Sequence, residues 1–399
     1  MKFLFKILLI FFLFFGAKLN SQLSKVHYIP PLTTSNSGNP IVGPQYFYIS
    51  TPSQSAVNYK IIVGDGSIWN QGVVSNANPV ITPANSDGNS YENLFISDFD
   101  YEKILKKGFI VEAESEIYVS LRFEATSTFH AGAIVSKGES ALGKRFFVGA
   151  LRNRASYMTQ FASVMATEDL TKVKFKLKNN VSTVYGQSGE FEVVLNSGDS
   201  YLIASRSGSG ISFSTEDGLV GTLIESDKSI VVNTGSGTGS NALNNGGHDY
   251  GMDQIVGAEL VGSEYIFIKG DGEPDWEKAL VIANQDNTQL QVNGSDYGSP
   301  LQEGEFLFIS EYTPNNNMYI RTKDPSHKLF AYQSLGRIWT ESQFQNSRAA
   351  NQGMFFVPPL NCSNRGDVDN IAKIDDVANK SYTGAVTFIT KKNAEIFIN

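Results

Sequence analysis

The stretch TKVKFKLK constrains this chain more than any other. Val173, Phe175 and Leu177 alternate with Lys172, Lys174, Lys176 and Lys178, so apolar and charged side chains separate at a period of two. An extended strand with one buried and one wet face sorts them cleanly, whereas a helix would spread both sets around its circumference. EIYVSLRFE repeats the device, with Ile117, Val119, Leu121 and Phe123 on one side. Turn clusters such as NNN, NSGD and SGSG separate these runs, and sustained helical periodicity is almost absent. Only DFDYEKILKKG and residues 340–351 could hold a short helix. The chain is therefore expected to be all-β, with antiparallel strands.

A second regularity is long-range. HYIPPL, FFVGAL, QIVGAE and FFVPPL each place a β-branched residue (Ile29, Val148, Val256, Val357) before two small or imino residues. The intervals are about 100 residues, the size of a small domain and far above a solenoid repeat. Three kinds of line then recur after the anchors. The first is a strand, a polar turn and a second strand, read as a hairpin: YFYISTPSQSAVNYKIIV, ASVMATEDLTKVKFKL, ALVIANQDNTQLQVNG and AVTFITKKNAEIFIN. The second is a buried strand: NLFISD, SGDSYLIAS and EGEFLFISE. The third is a pair of strands across a short polar turn: GFIVEAESEIYVSLRF, GTLIESDKSIVVNTGS and MYIRTKDPSHKLFAYQSLG. Tandem antiparallel sandwich-like modules of about 100 residues are expected, at 22–147, 148–255 and 256–354, with 355–399 starting an incomplete fourth; a β-propeller-like arrangement is the alternative.

The first residues, MKFLFKILLIFFLFFGAKLNSQ, put Lys2 and Lys6 around an apolar run that ends at Gly16. Its uninterrupted part is short of the about 20 residues needed to span a bilayer, and it is built like a secretory signal peptide over 1–21. Its loss, with Lys2, Lys6 and Lys18, takes the formal charge from −8 to −11. An acidic mature chain argues against nucleic-acid binding, and no other run is apolar enough to anchor it. Cys362 is the only cysteine, so no internal disulfide can form.

Chemistry-bearing residues are sparse. No Gly-x-Ser-x-Gly occurs, and His27, His130, His248 and His327 are scattered along the chain without the spacing of zinc ligands. No catalytic residue is assigned and no enzymatic activity is expected. GSGTGS at 235–240 lacks the lysine of a phosphate loop and reads as a flexible loop. GGHDYGMDQI also reads as a loop; His248, Asp249 and Asp253 are ligand-binding candidates there, with Trp276 as a possible platform. The competing reading is that the two aspartates satisfy turn amides and the tryptophan packs. In GDGEPDWEK, Asp271, Glu273, Asp275 and Glu277 alternate around Gly272 and Pro274. Calcium takes carboxylates from loops of this kind, although the ordered pattern of an EF-hand is missing and a plain acidic loop is the alternative.

HYIPPL, GNPIVGPQYFYIST, GTLIESDKSIVVNTGS, GGHDYGMDQIVGAELVGSEYIFIKG, ALVIANQDNTQLQVNG, NNNMYIRTKDPSHKLFAYQSLG and MFFVPPLNCS together resemble the family of the IgGFc-binding protein amino-terminal domain. That family occurs in mucin-associated animal proteins and in large secreted proteins of Bacteroidetes. The resemblance implies a surface or matrix protein, exported in bacteria by the type IX route used by gliding-motility-associated proteins, and its shared lines are structural. The expected function is a secreted or cell-surface interaction or adhesion protein, a non-catalytic β scaffold binding an extracellular protein or glycan through loops. An accessory binding domain of a larger extracellular enzyme is the alternative.

Overall fold

A computed structural model describes residues 22–34, 42–86, 91–126, 130–206, 216–242, 247–270, 272, 275–336 and 352–360, and beyond these 373, 376–377, 380–381, 389–390, 393 and 395. Residues 1–21, Cys362 and the 340–351 segment lie outside the described residues. The fold is all-β and antiparallel. Within DFDYEKILKKG the only helical element is a 3-10 turn at Asp98–Asp100.

The strands form three units of the same plan. In the first, β1 (Ser24–Ile29), β3 (Val57–Val63) and β4 (Ile68–Val74) are joined to β2 (Val42–Ser50), β5 (Val80–Pro83) and β7 (Ala131–Val135) by one long strand, β6 (Phe109–Ala125). The pairing order is β1-β6-β3-β4 along the first half of β6 and β7-β6-β2-β5 along the second. The second unit repeats this with β8 (Gly143–Phe147), β9 (Thr159–Ala166), β10 (Thr171–Lys176), β11 (Glu190–Leu195), β12 (Ser200–Arg206), the long β13 (Leu223–Gly239) and β14 (Asp249–Ile255). Its orders are β8-β13-β10-β11 and β14-β13-β9-β12.

The third unit contains β15 (Glu264–Ile268), β16 (Ala279–Ala283), β17 (Thr288–Val292), β18 (Ser295–Leu301), β19 (Phe306–Ile309), β20 (Asn317–Thr322), β21 (Leu329–Gly336) and β22 (Gln352–Phe356). Here the long strand is divided into β20 and β21, and two separate sheets result, β15-β20-β17-β18 and β19-β16-β21-β22.

Two expectations are corrected by this topology. Three of the four strand–turn–strand lines are not hairpins: β2 and β3, β9 and β10, and β16 and β17 go to different halves of their units, while the fourth, AVTFITKKNAEIFIN, lies mostly outside the described residues. Each such line is an arch that crosses the core, because both neighbours of each strand are supplied by other segments. The third kind of line holds a true turn only in the third unit. In the first two it is a single 17-residue strand, exposed in its middle around Glu114–Glu116 and Asp227. There the strand passes from the partners of one half-sheet to those of the other, as the chain does across 323–328 in the third unit.

Burial explains two kinds of strand in the sequence. β10 alternates buried and exposed positions, as its lysines require. β9, β12 and β16 are buried at every position, because their half-sheets have a core on each face. Ala162, Val164 and Ala166 face the second core while Phe161 joins the first; Tyr201 and Ile203 face the second while Leu202 and Ala204 join the first. Leu280, Ile282, Phe330 and Tyr332 of the third unit likewise pack into the second core, and Ala279, Val281, Leu329 and Ala331 into the third. Each unit thus closes the core of the one before it, and the nearly continuous apolar runs ASVMA and ALVIA follow from two-sided burial.

Candidate functional site

GGHDYGMDQI is not a loop. Asp249 opens β14, a fully buried strand hydrogen-bonded to β13. Alternation sends Tyr250 and Met252 into the first core, which leaves Asp249 and Asp253 on the other side. Asp253 receives the Lys137 ammonium at 2.9 and 3.0 Å and the amide of Phe356 at 3.0 Å. One carboxylate thereby ties the 137–141 turn and the third unit's β22 to the second unit. Gln254 extends the junction: its Oε1 accepts from the Lys137 amide at 2.7 Å, and its Nε2 donates to the Tyr28 carbonyl at 2.8 Å. Asn233 of β13 donates to the Pro30 carbonyl at 2.7 Å. The carbonyls of HYIPPL therefore accept from the second unit.

Asp249 is buried, and burial holds its carboxyl well above the usual carboxylate range, although the Tyr250 and Ala131 amides oppose the shift. The His248 ring lies 5.3 Å from that of His130 and 5.4 Å from that of Tyr157. The histidines, far apart in the chain, therefore meet across the first and second units. Burial, reinforced by the neighbouring His248, lowers His130 to about 4. His27 is also lowered to about 4 by burial; its Nε2 faces the carbonyls of Ser24 and Ile117 and its Nδ1 lies 3.0 Å from Ser136 Oγ. Among the described residues no three His, Cys, Asp or Glu side chains converge as metal ligands would.

The flexible-loop reading of GSGTGS is corrected as well, because residues 235–239 end β13 and are buried. Small residues are required here by close approach. A Cβ on Gly237 would lie 2.6 Å from Thr34 Cα, and Gly235 has φ +145° and a Cβ there would collide with the Gly251 carbonyl oxygen. The hydroxyls are used internally: Thr234 donates to the Gly149 carbonyl and Ser236 to the Leu151 carbonyl, both at 3.0 Å.

In the acidic segment, Asp271 and Glu273 lie outside the described residues. Glu277 is completely buried, and its oxygens accept from the amides of Gly270, Gly272 and Gly336 at 2.9, 2.9 and 3.0 Å. A carboxylate whose oxygens are taken up by three amide donors holds the backbone of this segment together, which differs from the calcium ligand expected of Glu277. Trp276 is 6% exposed and packs on Ala242, which removes it as a platform.

A cleft of about 540 Å³ that the sequence did not suggest lies where the second and third units meet. Arg152, Lys178 and Asp217 come from loops of the second unit; Lys278 precedes β16, Leu301 ends β18, and Glu305 to Phe308 belong to or border β19. The Arg152 guanidinium sits 4.4 Å over the Phe308 ring and pairs with Asp217 at 2.7 Å. The Lys178 ammonium lies 4.2 Å over Phe306. Burial lowers the pKa of Lys178, and burial together with Arg152 and Arg154 lowers that of Lys278. No carboxylate lies within 4.0 Å of either ammonium among the described residues. No local pattern announces this site, because its cations are brought together only by the packing of two units.

No curated protein matches the chain in sequence. A family model described as IgGFc binding protein matches residues 131–399, from β7 through the second and third units. Since that match covers most of the chain and includes the lines that build the β13–β14 junction, the chain belongs to the IgGFc-binding protein family.

Proposed function

We propose that the protein is an extracellular, non-catalytic β scaffold that binds a protein or a glycan. The observation that carries this reading is the use of Asp253 and Glu277: these two site candidates, with Gln254 beside the first, hold units and backbone together. General acid–base chemistry needs titratable groups brought to a reacting atom in a cleft. The buried acids and histidines of the junction instead face carbonyls, amides and each other. Membership of a family described by what it binds supports the same reading, and the apolar amino-terminal run supports export. Among the described residues no helix is long and apolar enough to cross a membrane.

The test is attachment. The chain from Gln22 is immobilised and exposed to immunoglobulin Fc, which the family's description names, and to panels of matrix proteins and glycans. Saturable binding to at least one of them is expected. Binding no better than that of an unrelated all-β protein of equal charge would sink the proposal, as would turnover of a glycan or peptide.

A further inference from the structure

We infer that the cleft between the second and third units binds a carboxylated sugar, a hexuronate-type residue of an acidic glycan. This deepens the binding reading above and rests on it. The argument starts from charge. Three cations (Arg152, Lys178, Lys278) and two carboxylates (Asp217, Glu305) line the cleft, an excess of one positive charge in a chain of formal charge −8. Asp217 is occupied by Arg152, and Glu305 accepts the Gln302 amide at 2.8 Å. Lys178 and Lys278 have no carboxylate within 4.0 Å among the described residues, and burial outweighs the longer-range attraction of Asp217 and Glu305 on Lys178 and of Asp275 and Glu216 on Lys278. A partly desolvated ammonium whose carboxylates stay outside ion-pair distance gains from an anion that reaches it directly.

The excess of one charge fits a carboxylate better than a phosphate dianion, which the two lining acids would repel. Those same acids retain acceptor capacity, so the ligand should carry hydroxyl donors as well as its carboxylate. Phe306, Phe308, Leu301 and Leu307 add an apolar wall, against which the C–H face of a sugar ring can pack. A volume of about 540 Å³ falls in the range of small-ligand sites, roughly 300–1,000 Å³. A compact group that is carboxylated, hydroxylated and apolar on one face is an acidic sugar.

The experiment is calorimetric titration of the chain from Gln22 with trigalacturonate, with maltotriose and inorganic phosphate as comparison probes. Binding of trigalacturonate that weakens as salt is raised is expected, with neither comparison probe binding comparably. Lys178→Gln combined with Lys278→Gln should weaken it at least tenfold. Lys174→Gln, on the wet face of β10 and ion-paired to Glu190 at 2.9 Å, should leave it unchanged. Thermal unfolding of each variant verifies that the fold persists. No binding of trigalacturonate, equal binding of maltotriose, phosphate binding as tight, or full binding by the double variant each overturns the inference. If trigalacturonate fails while the immobilised chain still captures a protein, this inference falls and the broader binding function stands.

Discussion

The β14 junction and the cleft beside β19 are both places where units meet and where charged side chains leave bulk water, yet they are wired oppositely. At the junction Lys137 has both oxygens of Asp253, Asp253 has the Phe356 amide, and Gln254 is bonded at each end. In the cleft, Lys178 and Lys278 are partly buried with no carboxylate within 4.0 Å among the described residues, and the acids nearby, Asp217 and Glu305 for Lys178 and Asp275 and Glu216 for Lys278, only partly offset that burial. A polar group that is expensive to bury and internally complete serves the fold; one left incomplete marks where something else can bind. Residue type alone points the wrong way, since His248, Asp249 and Asp253 look more like a site than three scattered cations do.

The sharpest way to break the comparison is Asp253→Ala. It leaves the Lys137 ammonium buried without its partner, and a loss of about 3–5 kcal/mol in denaturant unfolding is expected. Lys137→Met together with Asp253→Leu should cost clearly less, since no orphaned charge remains. If the single substitution were neutral, the junction would not be a structural clamp.

A pH experiment probes the same junction. His27 falls from 6.5 to about 4 on folding, so the unfolded chain binds the extra proton between these values. The stability His27 contributes is complete above pH 6.5, declines as pH falls through this window and is absent below about 4, a difference on the order of 3 kcal/mol. Asp249 acts in the opposite sense, because its raised folded pKa favours the protonated native state in acid. The measurement is therefore the stability of the wild type minus that of His27→Gln at pH 7 and pH 4. A difference that does not change with pH would remove His27 from the account.

Gly237→Val tests close approach, with a Cβ placed 2.6 Å from Thr34 Cα. Overpacking of this kind costs about 1–3 kcal/mol, read as a lowered melting temperature. At the small end, Lys178→Gln and Lys278→Gln should each change stability by about 0.5 kcal/mol or less. A large destabilisation by either would make the cleft a second structural junction and erase the contrast.

Period-two alternation in TKVKFKLK and EIYVSLRFE located strands from the sequence, because the side-chain period of a strand is local geometry. Partner choice was less legible. The same alternation suits a hairpin or an arch, and only pairing with β6, with β13, and with β20 and β21 shows that YFYISTPSQSAVNYKIIV and its two described counterparts cross the core. GSGTGS was misread for a related reason: glycine and serine signal a turn to a local reading, but they are also what a strand needs where other segments touch its backbone.

The sequence by itself determined the all-β class and many of the strands and pointed to a recurring unit, since alternation and turn residues are written within a few residues of each other. Tertiary structure decided which polar groups are complete. Asp253 finds Lys137 and Phe356, Glu277 finds three backbone amides, and Lys178 meets Phe306 through contacts distant in the chain. Whether a charge is satisfied depends on every group within a few ångströms, and packing of the units, which no single stretch encodes, brings those groups together.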